Sequence, residues 1–224
     1  MTDLLTEPRA RRTQKERSRD MRKRLIDAAI RCLDEDGYAN TSISRIVEVA
    51  GVSRGAHLHH FPSKDLLMKA VAEDLMRAVY VAAGRTAMGV EADDDRFAAL
   101  VHFMWREVVH QRTGRVMLEL LNAARADRQL ADHLRPLAIR GLRLYRHAAD
   151  HYFEPAGPDG MDPKEIVFLV QWTLRGILLD APLVRNPEFF ERQVAALIRV
   201  LAPHIRNKAV DGPPPRIADW DRET

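Results

Sequence analysis

The chain has 224 residues, 46% of them hydrophobic and 30% charged, with a formal net charge of +3 at pH 7. This composition is ordinary for a globular protein and excludes disorder of the whole chain; the length suits one long domain or two small ones. The longest uncharged apolar-rich stretch of the C-terminal half, residues 166–174, is far short of the ~20 residues a membrane helix needs, and the one cysteine, Cys32, excludes an internal disulfide framework and any multi-cysteine zinc site.

Charge is unevenly spread. Residues 1–24 hold nine bases against four acids, a local +5 that leaves −2 for the rest of the chain. A basic arm on a near-neutral body suggests a polyanion partner, although a solvated tail is the plainer reading of an isolated charge run. Residues 1–10 have no apolar run of the secretion type, so a reducing cytoplasm is the expected compartment.

Beyond the arm, helical periodicity dominates and strand alternation is absent. Leu25, Ile26, Ala29, Ile30, Cys32 and Leu33 form one face of a first helix, which Gly37 should stop. Thr41 or Ser42 can cap a second helix bearing Ile43, Ile46, Val47 and Ala50, ended by Gly51. Ser53 can cap a very short third helix over 54–61, ended by Pro62. Ser63 caps a fourth, from Lys64 to about residue 83.

A second part is expected after Gly84. Its first helix follows the acidic run at 93–95 and carries Phe97, Leu100, Val101, Met104, Trp105 and Val108 at spacings of three and four. A shorter helix over 115–125 follows, then a long stripe through Leu130, Leu134, Leu137, Gly141, Tyr145, Ala148 and Tyr152. Residues 155–163 read as a linker, with Pro163 in the first turn of a helix running to about Val184. A final helix spans about 187–201, and the Pro-rich stretch 206–224 reads as a loose tail. The last two helices are apolar over much of their circumference, which requires burial on more than one side. A second subunit is the simplest cover, seated on Ile177, Ala181, Phe190, Val194, Leu197 and Leu201.

Residues 42–61 are the most informative stretch. Two short helices joined by a turn containing Gly form a helix-turn-helix, and the second is too short to stand without support from its neighbours. Arg54, Gly55, Ala56 and His57 would face outward at its start, where Arg54 can bond both acceptors of a guanine edge.

These residues carry a family resemblance. Arg24-Leu25-Ile26-Asp27-Ala28-Ala29, Gly37-Tyr38, Thr41-Ser42, Ile46, Ala50-Gly51-Val52-Ser53-Arg54-Gly55 and His60-Phe61-Pro62-Ser63-Lys64-Asp65-Leu66-Leu67 are similar, without a gap over about 22–71, to the N-terminal domain of tetracycline-repressor (TetR) family regulators. The C-terminal part resembles the family more loosely, through Leu118-Glu119-Leu120, Ala123-Ala124-Arg125-Ala126-Asp127, Leu130 and the last two helices. The resemblance implies an all-α homodimer with a three-helix DNA-binding domain over 21–70, a fourth helix linking onward to about 84, and a ligand-binding and dimerisation domain over 85–205. Residues 1–20 would be a flexible arm. The implied function is transcription regulation, usually repression, with double-stranded operator DNA of palindromic sequence released when a small, largely apolar molecule binds. The sequence departs from the family at Ala56-His57-Leu58, where Thr-Leu-Tyr is usual, and at Val47, where Ala is usual.

Carried over position by position, the resemblance implies DNA contact by Ser42, Ser44, Arg45, Ser53, Arg54, Gly55, Ala56, His57, His59 and Lys64, with Arg22 from the arm. Arg54, Ala56 and His57 would face bases, and Lys64 would pair a phosphate. Met104, Trp105, Met117, Leu121, Tyr145, Phe168 and Trp172 suit an adaptable apolar pocket, and Arg175 or Glu119 can fix a ligand's polar end. Plain core packing is the simpler reading of each apolar residue taken singly.

His57, His59 and His60 do not make a metal site by spacing, since no third ligand is evident; neither metal nor cofactor is expected. Titration of these histidines near neutrality is the better expectation, as a pH dependence of DNA affinity. The chain contains no glycine-rich phosphate loop and no His-Glu-x-x-His, and Gly51-Val52-Ser53-Arg54-Gly55 lies between two expected helices rather than on the strand-to-helix turn of a nucleophile elbow. A helical enzyme using Glu119, His102 or His110 is therefore the weaker alternative. A DNA-coating protein without ligand control is the other.

Overall fold

The computed structural model describes residues 13–90, 95–158 and 160–210. The fold is all-α apart from one two-stranded ribbon. Its helices are α1 Gln14–Asn40, α2 Ile43–Ala50, α3 Arg54–His60, α4 Lys64–Met88, α5 Arg96–Phe103, α6 Arg112–Ala126, α7 Arg128–Tyr152, α8 Pro163–Asp180 and α9 Pro187–Leu201. A π-helical segment, Met104–Val109, joins α5 to α6, and a 3-10 turn, Ala202–His204, follows α9.

Local chemistry sets the helix ends. Thr13 and Glu16 form a reciprocal capping box that starts α1, so residues 14–20 of the expected flexible arm are helical; Arg9, Arg11 and Arg12 lie outside the described residues. Gly37 (φ 73°, ψ 169°) leaves the helical path, so the first helix stops there as expected and a last turn continues across the kink to Asn40; Thr41 then bonds back to the Gly37 carbonyl through its hydroxyl, 2.7 Å, and its N–H, 3.1 Å. Ser42 caps α2 by accepting from the N–H of Arg45. Gly51 ends α2 in the left-handed region (φ 61°, ψ 43°), which a residue with a Cβ adopts only at a cost.

The fourth helix runs through Gly84 to Met88, four residues beyond the expected boundary, so one rod serves both halves of the molecule. Asp95 caps α5; residues 93 and 94 of the acidic run lie outside the described residues. Helix α8 ends at Asp180 rather than Val184. The expected tail also begins later. Ile205–Asn207 forms β2, which pairs antiparallel with β1, Phe153–Pro155, in the register Phe153↔Asn207 and Pro155↔Ile205. Such three-residue strands leave no alternation to read. Residues 211–224 lie outside the described residues.

Two apolar clusters make the core. In the first, Leu25, Ala29 and Leu33 of α1, Ile46 of α2 and Phe61 meet Leu67, Met68 and Val71 of α4. Val116 and Leu120 of α6 and Leu130, Leu134 and Leu137 of α7 complete it, so the helix-turn-helix is cemented to the rest of the chain by continuous packing. The second joins Phe97 and Val101 of α5, Trp105 and Val109, Ile166, Val170, Leu174 and Leu178 of α8, and Phe190, Val194 and Leu201 of α9. The π segment lies against the start of α6. A Cβ on Gly114 would collide with the backbone carbonyl of Val109, so glycine is required for this approach.

Candidate nucleic-acid interface and the cavity behind it

Helices α2 and α3 are held in a fixed turn by a residue outside them. The Arg24 guanidinium of α1 donates to the carbonyls of Ala50, 2.7 Å, and Gly51, 3.1 Å, satisfying the acceptors left free where α2 ends. The sequence alone assigns Arg24 no role. Its signal is tertiary, because the residues it joins are 26 and 27 positions away.

On the outer face of this turn, Ser42, Ser44, Ser53, Arg54, Gly55 and His59 are exposed. Arg54 reaches across from α3 and donates to Ser44 Oγ of α2 at 2.7 Å, which ties the two helices' exposed polar groups together. Leu58, where the family usually has Tyr, is 60% exposed and extends the same helix as an apolar tip. Ala56 lies on α3 between Gly55 and His57.

Three expected DNA contacts are corrected. His57 does not face outward. It is 2% exposed, its Nε2 is buried without a hydrogen-bond partner, and burial pushes its pKa down. The one-residue shift follows from helix geometry: Leu58 and His59 occupy the outer side, and position 57 turns toward the core. Lys64 does not project toward a phosphate. It donates to the Tyr38 carbonyl at 2.8 Å, lies 3.8 Å from the centre of the Tyr38 ring, and has its pKa lowered by burial. Arg45 is no free cation either, standing 3.4 Å from Asp36 and 3.6 Å from Glu48. Arg22 packs over the Phe61 ring at 4.9 Å.

Behind the motif, a polar joint fastens α1 to the C-terminal helices. Glu119 of α6 accepts from the N–H of Tyr38 at 2.7 Å, so it is not available to a ligand. The Tyr38 hydroxyl donates to Asp127 at 2.8 Å. The Leu130 N–H and that hydroxyl together hold the Asp127 carboxyl below its usual range. Asp34 receives Arg115 at 2.8 Å and Arg112 at 2.9 Å, and its pKa is lowered by these bonds, Arg115 first.

Between the two apolar clusters lies a cavity of about 290 Å³. Met104, Met117, Leu121, Tyr145, Trp172 and Arg175 all line it. Trp105 and Phe168 do not. Trp105 packs in the second cluster and donates to Glu191 at 2.9 Å, while Phe168 is buried and stacks on Trp172. The π segment explains the first miss, because its extra residue per turn rotates Trp105 away from the face that α-helical spacing assigns. Sequence reasoning missed Met76 and Tyr80, which come from α4, and Gln171 and Tyr152, which complete the polar part of the wall.

The expected subunit-facing residues are also redistributed. Phe190, Val194 and Leu201 are buried inside the chain's own second cluster, and Ile177, Ala181 and Leu197 pack at its margin. The large apolar side chains left exposed on and between α8 and α9 are others: Leu169, Trp172, Leu179, Leu183, Val184, Phe189 and Val200. Among the described residues, no helix is long and apolar enough to cross a membrane.

Known proteins match this architecture. Residues 25–71 fit the sequence model of bacterial regulatory proteins of the tetR family. An HTH-type transcriptional regulator of Mycobacterium bovis is 32% identical over 196 residues, covering 85% of this chain and 97% of the relative. The HTH-type transcriptional regulator CymR of Pseudomonas putida is 29% identical over 182 residues, 81% of this chain and 89% of the relative. The solved structure of a TetR-family member from Streptomyces coelicolor A3 is 26% identical, covers 81% of this chain and 98% of its own, and superposes with a TM-score of 0.60. The helix-turn-helix at the N-terminus, the helical body behind it and this likeness over nearly the whole length of its relatives make the chain a member of the TetR family of transcriptional regulators, and not an enzyme.

Proposed function

We propose that this regulator is a homodimeric repressor whose operator is a palindrome and whose release is triggered by a small, mainly apolar molecule. The observation that carries the reading is the double duty of α4. Its first half, through Leu67, Met68 and Val71, packs the DNA-binding motif; its second half, through Met76, Tyr80 and Ala83, walls the cavity. An occupant that displaces Met76 or Tyr80 therefore acts on the rod that positions α2 and α3. A ligand shifts such an equilibrium only by its differential affinity for the two states.

In this reading residues 21–70 are the DNA-binding domain, and Arg54, Ser44, Ser42, Ser53, Gly55, Ala56 and His59 form the contact face. Leu58 offers an apolar contact, such as to a thymine methyl, in place of the usual hydroxyl. The exposed apolar groups of α8 and α9 form the subunit interface. Two copies then place their α3 helices about 34–36 Å apart, one turn of DNA.

Selection of binding sites from a random DNA pool by the purified protein at near-physiological salt tests the proposal. A palindrome should be enriched. Retention of DNA without an enriched motif would instead support a coating protein, since phosphate contacts alone carry no sequence preference.

A further inference from the structure

The cavity wall is apolar over most of its area, yet it includes a guanidinium. Arg175 of α8 lines the cavity beside Leu174 and Leu178. Among the described residues no carboxylate or carbonyl accepts from it; Tyr145 is its one electrostatic neighbour, and burial lowers its pKa. Arg96 is the more deeply buried of the two, and its donors are satisfied by the carbonyls of Ala87, 3.0 Å, and Lys208, 3.1 Å, whereas Arg175 is half-buried. Arg96 is thus paired, whereas Arg175 lines the cavity with donors that no described residue accepts. A half-buried charge without a partner loses part of its hydration, a loss that an acceptor entering the cavity would offset.

The neighbouring groups narrow what that partner is. Tyr145 and Gln171 share a hydrogen bond on the same wall, and no second cation lines the cavity. A single guanidinium fork matches a planar carboxylate, accepting two parallel bonds, better than a doubly charged phosphate. The remaining wall, including Met76, Met104, Met117 and Leu121, suits a hydrocarbon body and adapts to its shape. We propose that the cavity recognises apolar monocarboxylic acids, with the carboxylate on Arg175 beside Tyr145 and Gln171 and the hydrocarbon among the methionines. The proposal rests on the ligand-cavity reading above and adds the chemical class of the occupant.

The test is calorimetric titration of the full-length protein with 4-phenylbutyrate and octanoate, each beside its uncharged amide. Each acid should bind wild-type protein at least about tenfold more tightly than its amide. Arg175→Gln should abolish that preference while the amides keep their affinity, and Arg175→Met, also uncharged, serves if the glutamine variant does not fold. The wild-type comparison of acid with amide stands without either variant. Equal binding of acid and amide overturns the acid proposal and leaves the cavity reading in place. Binding of neither overturns both.

Discussion

Arg54 and Arg24 are both arginines of the motif with opposite tasks. Arg54 is exposed and, among the described residues, bonded to Ser44, a hydroxyl it can exchange for a base edge. If it reads a guanine, Arg54→Ala should weaken binding to the selected operator by about 1–3 kcal/mol and leave affinity for random DNA nearly unchanged. Fluorescence anisotropy on the two DNAs separates these cases; an equal loss on both would make Arg54 a phosphate contact. Arg24 instead holds the turn, and Arg24→Ala strips the partners from two carbonyls. It should lower unfolding stability by about 1–3 kcal/mol, visible in urea denaturation without any DNA present.

His57 gives a pH dependence of stability, not of a base contact. Burial lowers its folded pKa, so the unfolded chain binds a proton at a higher pH than the folded one. Its contribution is present above the unfolded value of about 6.5 and is lost as pH falls through the lower folded value. His60 adds in the same direction, lowered by burial and by His59 and Arg22. The denaturation midpoint should therefore drop as pH falls below about 6.5. In His57→Leu that drop should shrink, and an unchanged pH profile in the variant would remove His57 as the source.

At the scale of elements, α4 packs against the DNA-binding motif and lines the cavity, and the π segment lies against the start of α6. Gly141 of α7 faces Met76 of α4 so closely that a Cβ there would meet the methionine methyl. Because Met76 is flexible, Gly141→Ala should fold. Its added methyl should push Met76 into the cavity, weakening binding of cavity probes more than it changes the melting temperature. At Gly114 the obstacle is backbone, which has no such freedom. Gly114→Ala should cost about 1–3 kcal/mol of stability as the π segment is forced away from α6. Comparing calorimetric titration with thermal unfolding for the two variants distinguishes a flexible neighbour from a rigid one.

At the scale of the whole molecule, the apolar face left uncovered by the chain itself is the natural seat for a second copy. Leu183 is 81% and Val200 65% exposed, which adds nothing to the monomer's core. The double variant Leu183→Glu/Val200→Glu should remain folded by circular dichroism but elute as a monomer in light-scattering chromatography, and should lose operator binding with it. Phe190→Glu, by contrast, places a charge in the second cluster and should unfold the C-terminal helices. A dimeric double variant would relocate the interface.

The chain's local signals were enough for the helix-turn-helix and for most helix boundaries, because caps and stops act over three or four residues: Ser42, Gly51, Ser63, Asp95 and Pro163 are such signals. The membership of the cavity wall was partly legible, since Met117, Leu121, Tyr145 and Arg175 share faces with core residues at helical spacing. Three features belong to the tertiary structure alone. His57 turns inward where an outward position is expected of it, because the face a seven-residue helix buries is set by what packs behind it. Phe190 is buried within the chain where a subunit-facing position is expected, for the same reason, periodicity giving a face but not its partner. Lys64, Glu119 and Arg24 have their charges consumed by Tyr38, Ala50 and Gly51, groups distant in the chain, and electrostatic pairing follows distance in space rather than order in sequence.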